Sequence, residues 1–287
     1  VSYPEDLREL AEAELETLDF TAPSAATGLE EAMRYSLLAG GKRVRPVLAL
    51  ATARALGADP QRYLPVATSL ELIHTYSLIH DDLPAMDDDE LRRGIPTAHV
   101  KFGEDVAILS GDGLFAEAMR TFCGQPGEPT RVLAALAELT AATGVAGMVG
   151  GQYADVTGEA SDAEGLRSLH GLKTGRLIAA AVGVVLTLEG AGEPETISYR
   201  GFAAELGVLF QIVDDILDVT GSDEQLGKPR GSDARHGKLT YVSLFGLERA
   251  RELAAESHAK ATAALAEAPG ETADLRGIAD YVFTRNE

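Results

Sequence analysis

The residues with the most chemistry in this chain are aspartates. One cluster is Asp81, Asp82, Asp87, Asp88 and Asp89, in HDDLPAMDDDELRRG; the other is Asp214, Asp215 and Asp218, in FQIVDDILDVTG. Around the second cluster Phe210, Ile212, Val213, Ile216, Leu217 and Val219 are apolar, which predicts a mostly buried helix. Asp214 and Asp218 are four apart and Asp215 and Asp218 three apart, so helical geometry predicts three carboxylates crowded on one face. Left unpaired in a core, each would cost several kcal/mol. A divalent cation relieves both repulsion and desolvation, and carboxylate oxygens suit magnesium. The first cluster follows the apolar run ELIHTYSLIH, and Pro84 predicts that the helix ends or kinks near Leu83. Asp81 and Asp82 then sit at a helix C-terminus, where the backbone dipole disfavours anions and a bound cation would compensate. The alternative for any one acid run is solvated surface. Two runs, each directly after an apolar helix, argue against it.

Cations complement the acids. GGKRVRP sets Lys42, Arg43 and Arg45 beside glycines at a helix entry, and Arg92 and Arg93 follow the first acid cluster. Glycine lets a backbone approach a phosphate, helix N-termini favour anions, and guanidinium binds phosphate oxygens in pairs. Each of these could also be an ordinary surface cation. Lys173-Thr174, Gln211 and Lys228 have, on spacing alone, an equally good helix-surface or core-polar explanation. Together the parts describe a device for a substrate with a diphosphate head and a hydrocarbon tail. Carboxylates hold magnesium, magnesium and cations hold phosphate, and apolar helices form the walls.

The elements that must position these groups read as helical nearly everywhere. Apolar periodicity predicts helices over 7–18, 26–38, 46–56, 64–80, 107–122, 130–143, 164–188, 196–219, 242–268 and 275–285. Ser2 and Glu5 fit a capping box for the first. Strand alternation and hairpin turns are not evident. The expectation is an all-α fold: one large helical domain spanning 1–287 with a central cavity. The chain has 287 residues, 45% hydrophobic and 24% charged, with a formal charge of −20. That balance disfavours nucleic acid and anionic membranes as partners. Cys123 is the single cysteine, which excludes an internal disulfide and a multi-thiolate metal site. The first twenty residues are acidic and amphipathic, unlike a signal peptide. The apolar run Leu177–Leu188 is shorter than the ~18 residues of a membrane span, so a buried core helix and a cytoplasmic protein are expected.

The motifs GGKRVRP, ELIHTYSLIHDDLPAMDDDELRRG, KFGEDVAILSGDGL, GMVGGQYADV, HGLKTGRLI, FQIVDDILDVTG, LGKPRGSDARHGKLTYVSL and YVFTRNE, in that order along the whole chain, resemble the trans-isoprenyl diphosphate synthases, and among them the bacterial farnesyl type. The resemblance implies a homodimeric prenyltransferase that joins isopentenyl diphosphate head to tail to an allylic diphosphate. It implies magnesium, three ions per site, held by Asp81, Asp82, Asp87, Asp214, Asp215 and Asp218. Arg92, Lys173 and Lys228 would contact the allylic diphosphate. Gly41, Lys42, Arg45, His74 and Arg93 would hold isopentenyl diphosphate, with core packing the alternative for His74. Thr174 and Gln211 would face the developing allylic cation, and Gln152 and Lys238 would lie near the site. Asp81, Asp214, Lys173, Thr174 and Gln211 form the expected catalytic set.

Tyr76 lies five residues before Asp81, ~7.5 Å deeper along a helix. With the small Ser77 beside it, its ring is expected to floor the tail pocket and stop growth at the fifteen-carbon farnesyl diphosphate. A twenty-carbon geranylgeranyl product follows if the ring is tilted away or Leu72 and Ile73 set the floor instead, and ordinary helix packing is the alternative for Tyr76. A class I terpene cyclase would carry an asparagine–serine–glutamate second motif where this chain has DDILD. A non-catalytic subunit would have lost its acids, and a metal-storage bundle would pair Glu-x-x-His, which His74 and His80 do not. Tyr153, Arg230 and His236 depart from the expected pattern.

Overall fold

The computed structural model describes residues 2–193, 195–221 and 238–285. The helices are α1 (Glu5–Thr17), α2 (Thr27–Leu37), α3 (Val44–Ala55), α4 (Leu64–Asp81), α5 (Ala98–Phe102), α6 (Glu104–Cys123), α7 (Pro129–Thr143), α8 (Met148–Thr157), α9 (Ala163–His170), α10 (Arg176–Glu189), α11 (Glu195–Thr220), α12 (Tyr241–Phe245), α13 (Leu247–Ala266) and α14 (Ala273–Thr284). The all-α expectation holds. Helices apolar on every side belong in the centre. Every residue of α4 from Val66 to Ile73 is buried, and so is every residue of α10 from Ala180 to Leu186. α4 packs between α3 and α6, and α10 among α3, α7 and α11. By length and composition two stretches, Pro129–Thr157 and Ala163–Glu189, could cross a bilayer; 56% of the apolar window of the second is buried inside the fold.

Several local expectations are corrected. The first helix has Pro4 at its N-cap and no side-chain cap bond, so Ser2 and Glu5 form no capping box. A capping box does occur at α12, where Thr240 and Ser243 bond each other's backbone. The predicted helix over 242–268 is interrupted at Gly246, whose φ of +79° starts α13 afresh. α8 was not anticipated, because its glycines and short length mask the period. A two-residue hairpin also exists: β1 (Leu91–Arg92) pairs antiparallel with β2 (Ile95–Pro96). Arg93 and Gly94 turn it with φ of 53° and 78°, the left-handed pair that a tight hairpin needs.

The predicted helix over 164–188 contains the break that matters most for the site. Between α9 and α10 the residues Gly171–Gly175 form a π-helical segment carrying Lys173 and Thr174. Such widened turns leave the regular helix period and re-aim side chains. Two glycines let neighbouring helices press onto it. A Cβ on Gly151 of α8 would lie 2.2 Å from the Lys173 backbone nitrogen, and one on Gly207 of α11 would lie 2.9 Å from the Gly175 Cα.

Arg43, one of the expected phosphate-binding candidates, has a structural role. It is fully buried and bonds Glu71 at 2.5 Å and Glu12 at 2.9 Å. Its cation is therefore spent inside the fold, with its backbone in the left-handed region at the entry to α3.

Gly151→Ala should lower stability by about 1–3 kcal/mol, the range for an overpacked core, seen as a lower urea midpoint at unchanged slope. His170 supplies a pH test. Burial pushes its imidazole down to about 4 from 6.5, so the folded chain favours the neutral ring. Stability is full above the ordinary histidine range and falls as pH drops toward 4. Urea titrations at stepped pH should show that slope reduced in His170→Phe.

Candidate active site

A cavity of about 930 Å³ opens between α4, α6, α8, the π segment and α11. α4 ends at Asp81, and the following turn folds back so that the Asp87 backbone N–H donates to the Asp81 carbonyl at 2.9 Å. Both side chains line the cavity, with Asp214 and Asp218 also in its wall. Burial raises the Asp81 carboxyl above its usual range; Lys173 counters this and the charge of Asp87 adds to it. Asp218 is 6% exposed, and its Oδ1 is buried without a hydrogen-bond partner. An orphaned carboxylate oxygen and a like-charged pair both call for a cation, and an all-oxygen donor set fits magnesium. Among the described residues no three acids or histidines converge on one point. The carboxylates line a shared space that a phosphate-bridged ion could span.

Two of the six expected metal carboxylates are not among the residues lining this cavity. Asp82 takes a forked bond from Arg92, whose Nε lies 2.7 and 2.9 Å from the two carboxylate oxygens. Burial works against the charge on Arg92, and Asp82 together with Asp81 and Asp89 more than offsets it. Asp215 is 2% exposed; it accepts from Gln211 Nε2 at 3.0 Å and from the Tyr241 backbone N–H at 2.7 Å. It stands within a ~100° arc with Asp214 and Asp218 on the helix, but its carboxylate is held by Gln211 and the Tyr241 amide and does not line the cavity. Its use is to orient Gln211, which in turn accepts from Thr174 Oγ1 at 3.0 Å.

Most of the expected cations converge. Arg45, His74, Arg92, Arg93, Lys173 and Lys238 all line the cavity. Arg45 is 8% exposed, and its Nε has no partner. Burial, only partly offset by Glu71 and Asp214, lowers its guanidinium to about 10. Burial and then the charges of Arg45 and Arg93 push His74 well below its usual range, keeping the ring neutral. Arg93 is lowered by burial as well, and its guanidinium bonds the Gly40 carbonyl. A Cβ on Gly41 would lie 2.9 Å from the Arg93 Cζ, so Gly41 makes room for that guanidinium. Arg45 and Arg93 thus give this side of the cavity positive charge that nearby acids offset only in part, with His74 as a neutral neighbour, the electrostatic requirement for an anion. Lys42 is the exception: it is exposed, not part of the lining, and its Nζ lies 5.3 Å from the Tyr281 ring centroid. Lys228, Arg230 and His236 lie outside the described residues.

Tyr76 and Ser77 line the cavity beyond the acids. The Tyr76 ring meets Phe115 edge-on at 5.3 Å and His80 at 5.8 Å. Leu72 and Ile73 are fully buried in the core and are not in the lining. Gln152 and Tyr153 are in the lining.

Residues 26–281 match the family described as polyprenyl synthetase. The chain belongs to the polyprenyl synthetase family. As a member it is a trans-prenyl synthase, a prenyltransferase. It is 46% identical to the farnesyl diphosphate synthase of Geobacillus stearothermophilus, over 90% of this chain and 89% of that one. It is 47% identical to the chloroplastic geranylgeranyl pyrophosphate synthase of Capsicum annuum, over 90% of this chain and 72% of that one. The geranyltransferase of Helicobacter pylori, solved with magnesium and isoprenyl diphosphate, superposes with a TM-score of 0.88 at 33% identity, covering 99% of this chain and 98% of that one.

Two residues of this family member escaped the sequence reading. Asp155 accepts from Lys173 Nζ at 2.6 Å and pairs with Lys238 at 3.5 Å. Burial opposes its charge, but the two lysines outweigh it and hold the carboxyl below its usual range. Its spacing three beyond Gln152 on a helix face was the available signal. Arg285 bonds Asp214 at 2.6 Å from near the end of the chain, a pairing no local pattern announces. Asp155→Asn should remove the carboxylate that holds Lys173 and draws Lys238 toward it. Calorimetry should show inorganic diphosphate, in magnesium, binding roughly tenfold more weakly, with Asp155→Glu partly restoring it.

Proposed function

We propose that the chain catalyses the magnesium-dependent condensation of isopentenyl diphosphate with dimethylallyl and then geranyl diphosphate, releasing diphosphate and giving farnesyl diphosphate. The observation that carries this reading is one cavity with acids and cations at one end and Tyr76 beyond them. Asp81, Asp87, Asp214 and Asp218 would hold magnesium, three ions per site, with Asp82 and Asp215 orienting Arg92 and Gln211 from behind. When bound, magnesium supplies positive charge to the departing diphosphate.

The chain's own residues do the rest. Arg92, Lys173, Lys228 and Lys238 bind the allylic diphosphate and stabilise the charge that grows as its carbon–oxygen bond breaks. Arg45, His74 and Arg93 bind isopentenyl diphosphate, with Gly41 and Lys42 at the rim. Thr174 commits its proton to Gln211, leaving oxygen lone pairs toward the allylic cation. Apolar walls exclude water from that cation. The double bond of isopentenyl diphosphate attacks it, and the released diphosphate takes the proton that leaves.

Tyr76, braced by Phe115, supports a fifteen-carbon limit. Geranylgeranyl diphosphate is the second reading, favoured by the similarity to the pepper enzyme. The absence of Leu72 and Ile73 from the lining weighs against it. We further read the chain as a single domain over 1–287 and a cytoplasmic homodimer that does not insert in membranes. Exposed Leu109, Leu133 and Val145 supply apolar surface for a second copy.

Incubation with magnesium, isopentenyl diphosphate and each of dimethylallyl, geranyl and farnesyl diphosphate tests this reading. After dephosphorylation the two shorter primers should give farnesol, and farnesyl diphosphate should go unused. Geranylgeraniol would overturn the floor, and no elongation would overturn the activity. Tyr76→Ala should shift the product to twenty carbons or longer; an unchanged product would remove Tyr76 from the floor.

A further inference from the structure

The loop that leads into α3 is held in its shape from outside the cavity. Gly40, Gly41 and Arg43 have φ of 86°, 125° and 52°. Glycine tolerates such values, but at Arg43 they are unfavourable and persist only where the surroundings fix them. Three elements fix the Arg43 side chain. Its Nε donates to Glu12 of α1 at 2.9 Å, its Nη1 to Glu71 of α4 at 2.5 Å, and its Nη2 to the Leu37 carbonyl of α2 at 2.8 Å. One residue earlier, the Tyr3 hydroxyl donates to the Lys42 carbonyl at 2.5 Å. Tyr3 is buried, with its ring 4.8 Å from that of Tyr281 on α14. Burial raises its phenol well above the ordinary tyrosine range, which keeps it a donor. α1 is itself seated by Leu7, Ala11 and Leu15 and tied to α3 through Asp6 and Arg54. It precedes residues 26–281, the part of the chain that matches the family.

The other side of the same loop serves the cavity. The Gly40 carbonyl accepts from Arg93, and Gly41 leaves room for the Arg93 guanidinium. Arg45 stands in the first turn of α3 and lines the cavity. We propose that Tyr3 and Glu12 are positioning residues for isopentenyl diphosphate: they lock the Gly40–Arg43 loop, and the loop aims Arg93 and Arg45 at that substrate. This rests on the reading that Arg45 and Arg93 hold isopentenyl diphosphate. Neither Tyr3 nor Glu12 lines the cavity, so both act through the loop. Without the Tyr3 hydroxyl or the Glu12 carboxylate, Arg43 keeps Glu71 and the Leu37 carbonyl, and the chain still folds. The loop then relaxes from its left-handed shape, and the acceptor of Arg93 and the start of α3 move with it. Lys173, at the allylic end, is carried by the π segment and held by Asp155, so that end is not built on this loop. The effect is therefore selective for one of the two substrates.

The test is steady-state kinetics with magnesium, varying isopentenyl diphosphate and geranyl diphosphate in turn, for Tyr3→Phe, Glu12→Gln and Glu12→Asp. Asp6→Asn removes the tether of α1 to Arg54 and leaves the loop contacts in place, so it controls for a merely structural role. Tyr3→Phe and Glu12→Gln should each raise KM for isopentenyl diphosphate about tenfold. Their kcat and KM for geranyl diphosphate should stay within about twofold of wild type. Glu12→Asp should recover part of the loss, and Asp6→Asn should lower the melting temperature without changing either KM. Circular dichroism confirms folding; if one variant fails to fold, the other decides. An unchanged KM for isopentenyl diphosphate in the folded variants, or an equal rise in both KM values, overturns the proposal. A wild type that elongates no primer overturns the proposed activity instead. Calorimetric titration of isopentenyl diphosphate then decides the positioning role: weaker binding in Tyr3→Phe and Glu12→Gln than in Asp6→Asn supports it, and equal binding overturns it.

Discussion

Carboxylates facing an apolar cavity are the constraint on which this molecule depends. Desolvation and mutual repulsion make them unfavourable without positive charge nearby. Asp81 shows both effects, its carboxyl raised by burial and by Asp87. The chain answers with cations at several distances. Arg92 grips Asp82, Lys173 and Lys238 share Asp155, and Arg285 reaches Asp214. Arg45 and Arg93 remain in excess on their side of the cavity. The result is a site whose acids are paired with cations in part, with further positive charge beside them, suited to a polyanion that arrives with its own metal.

Backbone geometry makes this arrangement possible. A regular helix through 164–188 would place Lys173 and Thr174 according to the 3.6-residue period. The π segment Gly171–Gly175 departs from it and brings Lys173 to Asp155 and Thr174 to Gln211. Gly151 and Gly207 permit this because their missing side chains let two helices touch the widened turn. Gly41 does the same for the Arg93 guanidinium. Asp215 extends the arrangement to α12 through the Tyr241 amide. Packing and chemistry are therefore coupled through small residues rather than through the acids themselves.

Much of this was legible in the sequence. Apolar periodicity interrupted by aspartates located α4 and α11, and Pro84 marked the end of the first acid-bearing helix. What was not legible depended on direction or on long-range pairing. Spacing put Asp214, Asp215 and Asp218 within one ~100° arc of the helix, but could not say that Asp215 is taken up by Gln211 and the Tyr241 amide. Asp82 adjoins Asp81 in sequence, yet its carboxylate is committed to Arg92. Arg43 and Arg45 are two apart, and it is the long-range pairing with Glu12 and Glu71 that makes Arg43 the structural cation. The hairpin at Arg93-Gly94 escaped because two-residue strands show no alternation. Arg285 is 71 residues from Asp214, a separation that no motif spans.

Chemistry and product length depend on different parts of the cavity. The acids and cations act on diphosphate groups that are the same for every primer. Tail length is limited by what stands beyond them, and Tyr76, ~7.5 Å from Asp81 along α4, touches none of the charged groups through a hydrogen bond or ion pair among the described residues. On the proposed reading, a change at that position alters the product while leaving the charge network intact. This explains how enzymes named for fifteen- and twenty-carbon products can both be nearly half identical to this chain. Overall identity is dominated by the shared core and the shared head-group site. The product must be argued from the ring of Tyr76 and its contact with Phe115, a local packing question that whole-chain similarity averages away.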